Sequence, residues 1–206
     1  MVIASYNPNV WGDILVTVVH ADAKQQKVEK RGKIICIKNA DDGTILGFNF
    51  LDASKMVKGL AGQGQVILNG EQLMALNSIL MKAGFEYKLI ADEAPKFVVG
   101  FVEELSKHPN SDHLHITKTR VDNGELLQIV CGAPNIAQGQ LVVVAKNGAF
   151  MPDGQVIWPG ELRGVKSDGM ICSARELNLP NAPAKKGILV LDPDKYTTGL
   201  EFNLRN

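Results

Sequence analysis

Three cysteines in 206 residues, Cys36, Cys131 and Cys172, are too few and too scattered for a disulfide framework or a paired-cysteine metal knuckle, and read as reduced, buried thiols. No apolar run approaches the roughly 20 residues needed to span a bilayer. The start, Met1-Val-Ile-Ala-Ser-Tyr6, lacks the basic leader of a secretory signal, so a cytoplasmic protein without membrane association is expected. Charge of one sign is missing too, with 22 basic against 22 acidic residues.

What is present is the composition of a folded protein, 45% apolar, in a length that suits one large domain or two small ones. The chain divides most naturally near Ala91-Asp-Glu-Ala-Pro95, giving domains at 1–91 and 96–206. The first reads as a small α+β domain. Apolar runs occur at Ile14–Val19 and Ile34–Ile37, the second leading through Asn39-Ala-Asp-Asp-Gly43 to Ile45–Phe50, a hairpin with an Asp-Gly turn. Helices are expected at Asp52–Val57 and at Glu71–Ala83, where Leu73, Leu76, Leu80 and Ala83 repeat at helical spacing before Gly84. The glycine-rich stretch Gly59–Gly64 lacks the Gly-Lys-Ser/Thr ending that a phosphate loop requires.

After Pro95 the pattern becomes strands and turns: Phe97–Leu105, His113–Val121 and, across the Asp122-Asn-Gly124 turn, Glu125–Val130. Further strands are expected at Gln140–Ala145, Gln155–Trp158, Met170–Cys172 and Gly187–Leu191, with one short helix. Five to seven short strands suit a small closed barrel, of which the OB-fold is the nucleic-acid-binding member, although pattern alone leaves other barrels open.

Enzyme chemistry finds little support. His113 and His115 share a strand face near His108 and Asp112, but no fourth zinc ligand is placed by spacing. Cys131 and Cys172 sit within apolar strands, where burial raises a thiol pKa and makes it inert.

Several short phrases carry recognition instead. Cys131-Gly-Ala-Pro-Asn135 follows an alternating strand and holds an amide at a loop tip; Leu162-Arg-Gly164 and Ser167-Asp-Gly169 set two glycines around a cation and a hydroxyl, a composition open to anions. Ser173, three residues before Glu176, also reads as half of a capping box. Together with His108-Pro-Asn-Ser-Asp112, Gly139-Gln140, Val142–Ala145 and Gly148-Ala149, these phrases make residues from about Val98 to Leu191 similar to the tRNA-binding OB domain. That domain occurs in the bacterial phenylalanyl-tRNA synthetase beta subunit and in free-standing structure-specific tRNA-binding proteins. The pairing with this N-terminal domain resembles the stand-alone YtpR-type proteins.

The resemblance implies an α+β domain followed by an all-β OB-fold barrel, and non-catalytic, structure-specific binding of tRNA by phosphate and ribose shape. It implies no cofactor and no metal. An aminoacyl-tRNA synthetase and a second copy of the chain are the other partners it suggests. The residues it points to are Asn135, Lys146, Arg163, Lys166, Ser167, Met170 and Ser173, with Arg163 and Lys166 on phosphates, Asn135, Ser167 and Ser173 supplying neutral hydrogen bonds, and Met170 against a sugar or base. Three have a structural alternative: Ser173 as a cap, Met170 as core, Asn135 as the tie of its own turn. One departure from the family pattern is His113, where a lysine is usual. From Lys96 onward 12 basic residues face 12 acidic ones, so a footprint must be a local patch, drawn from Lys118, Arg120, Lys146, Arg163, Lys166 and Lys185-Lys186. A small patch predicts modest, salt-sensitive affinity, and 6% aromatic content makes single-strand stacking a weaker mode. A protein-interaction or oligomerisation module on an inherited barrel is the alternative function.

Overall fold

Alternating apolar residues build a sheet in the first half of the chain and a barrel in the second. The computed structural model describes residues 2–91 and 94–204 and separates two compact units, 1–93 and 94–206. Asp92 and Glu93, in the segment where the sequence suggests a division, lie outside the described residues.

The first unit comprises β1 (Ile3–Tyr6), α1 (Pro8–Trp11), β2 (Ile14–Val18), β3 (Gln26–Arg31), β4 (Ile34–Asn39), β5 (Ile45–Leu51), α2 (Ala53–Met56), β6 (Gly64–Val66) and α3 (Gly70–Lys82). Its strands form one sheet in the order β3-β4-β5-β2-β1-β6, antiparallel throughout. Leu73, Leu76 and Leu80 recur on one side of α3 and join Leu15, Phe48 and Phe50 in a single core. Asn69 and Gln72 close a reciprocal capping box at the start of α3. At its end Gly84 is left-handed and Phe85 N–H donates to Leu80 O, a terminus that stops the helix where the sequence suggests. The glycine-rich stretch leads into the short edge strand β6. The edge strand β3, Gln-Lys-Val-Glu-Lys-Arg, is polar and mostly exposed, so it has no apolar alternation to announce it.

The second unit contains β7 (Phe97–Lys107), β8 (His115–Arg120), β9 (Leu126–Cys131), β10 (Leu141–Ala145), β11 (Gly160–Leu162), β12 (Val165–Ser167), β13 (Met170–Ile171) and β14 (Val190–Leu191). The order β13-β10-β7-β8-β9 contains the four-strand Greek key, β10 returning to lie beside β7. The resulting all-β barrel is nearly closed at β9, where Asp168 N–H donates to Gln128 O and Val130 N–H donates to Ser167 Oγ. Val98, Val102, Ile129, Val142, Val144 and Ile171 share one core. A second, with Val99, Val143, Ala145, Cys172, Leu177 and Phe202, covers the other face of β7 and β10. Burial on both faces explains why these two strands read as continuous apolar runs. Gln155–Trp158, expected as a strand, is instead an irregular ribbon joined by the single bridge Phe150–Val156 and by Ile157 N–H donating to Ala149 O. Among the described residues no helix is long and apolar enough to cross a membrane.

Candidate nucleic-acid interface

A two-residue turn, Arg163-Gly164, joins β11 to β12, with φ of 47° and 87°. Positive φ at both positions is the type I′ geometry that matches strand twist in tight hairpins. A loop before β8 holds this turn. His108 is buried, its Nδ1 accepting from Asn110 N–H at 3.0 Å. That bond leaves the proton on Nε2, which donates to Leu162 O at 3.0 Å. Asn110 then donates through Nδ2 to Arg163 O, and Arg163 Nη1 donates to Asn110 O, both at 3.1 Å. The His-Pro-Asn phrase is thus a clamp on the hairpin tip, a role its composition did not suggest; a histidine next to proline in a polar loop is the only sequence signal for it.

The hairpin also meets the barrel wall. Gln128 on β9 donates to Lys166 O at 2.9 Å and accepts from Lys118 Nζ at 3.2 Å. Lys118 and Lys166 therefore flank Gln128, both exposed. Glu161 is the cross-strand partner of Lys166, yet no ion pair joins them among the described residues. Arg163 is exposed, and its guanidinium spends one bond on the clamp. The result is a short basic edge held rigidly beside β8 and β9.

Asn135, Met170 and Ser173 are gathered elsewhere in the unit, around a cleft of about 780 Å³ next to β9 and β13. Asn135 donates to Ile188 O and accepts from Ile188 N–H, satisfying its amide within the fold. Ser173 forms the reciprocal box with Glu176: its amide and hydroxyl both reach Glu176 Oε2 at 2.7 Å, and Glu176 N–H donates to Ser173 Oγ. The box caps a single turn, with Leu177 N–H bonded to Ser173 O. Met170 is half-buried at the margin of the second core. Arg175, on the same turn, also lines the cleft, and its place between Ser173 and Glu176 was the available signal.

Two residues named from sequence serve the barrel. Ser167 is buried, accepting from Val130 N–H and donating to Gly169 O. Lys146 stands apart from hairpin and cleft: partly buried, its ammonium donates to both oxygens of the buried Asp122, at 2.8 and 2.9 Å. That pair ties the turn after β8 to the end of β10.

The thiols are suppressed. Burial pushes Cys131 up and drives Cys172 to about 12, with the Glu176 charge adding to it. Among the described residues no three His, Cys, Asp or Glu side chains come together as a metal site.

Residues 97–199 match a family model described as "Putative tRNA binding domain", and residues 21–92 one described as "Domain of unknown function (DUF4479)". A Bacillus subtilis (strain 168) protein, "Putative tRNA-binding protein YtpR", is 48% identical over 97% of this chain and 98% of its own length. The phenylalanine–tRNA ligase beta subunit of Oceanobacillus iheyensis is 48% identical over 54% of this chain and 14% of that subunit. The corresponding subunit of Chromobacterium violaceum is 43% identical over 62% of this chain and 16% of its own length.

Proposed function

Because the chain belongs to the YtpR family, we propose that its barrel unit is an OB-fold that binds tRNA without catalysis, reading the shape of the RNA backbone. The observation that carries this is the clamped hairpin: His108 and Asn110 fix Leu162 and Arg163 so that Arg163, Lys166 and Lys118 stand at one edge of the β8–β9 face. In an OB-fold the second and third strands and the loops after strands one and four carry nucleic acid. Here those parts are β8, β9, the His108–Leu114 loop and the β11–β12 hairpin. A-form RNA hides its base edges in a deep groove, so a few rigid cations reach phosphates and 2′-hydroxyls and read spacing, not sequence. Lys146 and Ser167 belong to the scaffold on this reading, because their polar atoms already have partners inside the barrel. A binding role places the protein where tRNA is, in the cytoplasm.

Gel retardation of tRNA at about 50 and 200 mM salt tests the reading. The parent protein retains tRNA at the lower salt and loses it at the higher. Arg163→Ala/Lys166→Ala weakens retention about tenfold and flattens the salt dependence by roughly the two phosphate contacts removed. Equal retention by parent and variant sinks the surface; no retention by either at low salt sinks the function. A protein partner captured regardless of nuclease would favour the interaction-module reading.

A further inference from the structure

The cleft of about 780 Å³ lies within the size range of small-ligand sites. Its walls are fixed by specific bonds. Asn135 holds Ile188 through both backbone groups, and Gly187 beside it has φ of 152°, where an added Cβ would lie 2.6 Å from Asn135 Oδ1. Any larger residue at 187 would push this wall away. Opposite, the Ser173–Glu176 box fixes the turn, and Arg175 Nη1 donates to Ala184 O at 3.1 Å, joining the two sides.

The lining is divided in character. Ala133, Pro134, Met170 and Ile188 give an apolar floor, while Arg175, Lys185 and Lys186 give a cationic rim. Two carboxylates line it as well. Glu176 accepts from the amide and hydroxyl of Ser173 and keeps its charge, so two carboxylates face three cations and the lining carries one net positive charge. An apolar floor under a positive rim suits a ligand with a flat, uncharged body and an attached phosphate.

We propose that this cleft receives one unpaired nucleotide of a bound RNA, its base on Met170, Ala133 and Pro134 and its phosphate at Arg175, Lys185 and Lys186. The proposal rests on the RNA-binding reading above and adds a second contact to it. A base inside a duplex has both faces covered by its neighbours, so only an unstacked one can present a face to the floor. Because the floor holds methionine and alanine in place of an aromatic ring, the gain lies at the low end of what stacking platforms supply, and it tolerates any base.

The test uses two RNA hairpins that differ only by one bulged nucleotide, with tRNA and 5′-AMP alongside, and follows affinity and the methyl resonance of Met170 in the full chain. The parent is expected to favour the bulged RNA about five- to tenfold, with the Met170 methyl shifted by bulged RNA and tRNA and not by paired RNA. Met170→Ser brings the bulged affinity down to that of the paired hairpin, and Met170→Leu restores the preference. If Met170→Ser does not fold, the methyl shift in the parent decides. Equal affinity for both hairpins with an unmoved methyl overturns the proposal; if tRNA is still bound and still sensitive to Arg163→Ala/Lys166→Ala, the preceding reading survives. A shift produced as strongly by 5′-AMP makes the cleft a free-nucleotide site and overturns it as well. Loss of all RNA binding removes both.

Discussion

In the sheet unit, Arg31 lies 4.4 Å over the Phe85 ring, donates to the carbonyls of Ala83 and Gly84 that end α3, and pairs with Glu29. Lys38 reaches the same glutamate, and Lys33 pairs with Asp52. In the barrel unit, Lys118 leans on a neutral amide, and Lys166 has no protein partner for its ammonium among the described residues. The same residue types are thus spent on the fold around Arg31 and held outward around Gln128, while elsewhere in the barrel unit Lys146 and Arg120 are also paired, with Asp122 and Glu103. An even count of charges says nothing about this division; what decides it is whether a carboxylate or a helix end is within reach of each cation.

The strongest way to sharpen the contrast is to damage each unit where it is most dependent on burial. Phe48→Ala empties the centre of the sheet core, where Phe48 is fully buried against Phe50, Phe85 and Tyr87, and should cost about 3–5 kcal/mol in urea unfolding. Lys146→Ala strands the buried Asp122 carboxylate and should cost about 3 kcal/mol, while tRNA affinity at a permissive temperature stays within about twofold. A large loss of affinity there would return Lys146 to the RNA surface and break the comparison. Asn135→Ala removes two bonds to Ile188 and leaves the amide and carbonyl of Ile188 without those partners, at about 2 kcal/mol by thermal unfolding. Ser173→Ala, which loses only a cap at an exposed turn, should cost about 1 kcal/mol in the same measurement.

Legibility followed burial. α3 was readable because its leucines repeat at helical spacing and its end is marked by Gly84. The hairpin from β4 to β5 and the strands β7 to β10 showed in their apolar runs. β3 and β6 did not, since edge strands carry polar residues or glycine and bury little. In the candidate site, the exposed cations Arg163 and Lys166 could be picked out because two glycines bracket them. The clamp could not, because His108 and Asn110 act on backbone atoms more than 50 residues away, and a side chain's partner at that distance leaves no local pattern. The partner of Lys146 was hidden for the same reason: sequence shows a lysine before Asn147-Gly148, and only the fold brings Asp122 to it.

The turn at Arg163 has a consequence for evolution in the laboratory. Its first position, at φ 47°, is one that glycine or asparagine occupies at no cost and that an arginine occupies against the steric preference of its Cβ, by roughly 1 kcal/mol. Selection of this protein for heat resistance alone should therefore drift toward discarding the guanidinium, and selection for retention of RNA should hold it. The hairpin is a place where thermal endurance and affinity pull the same codon in opposite directions.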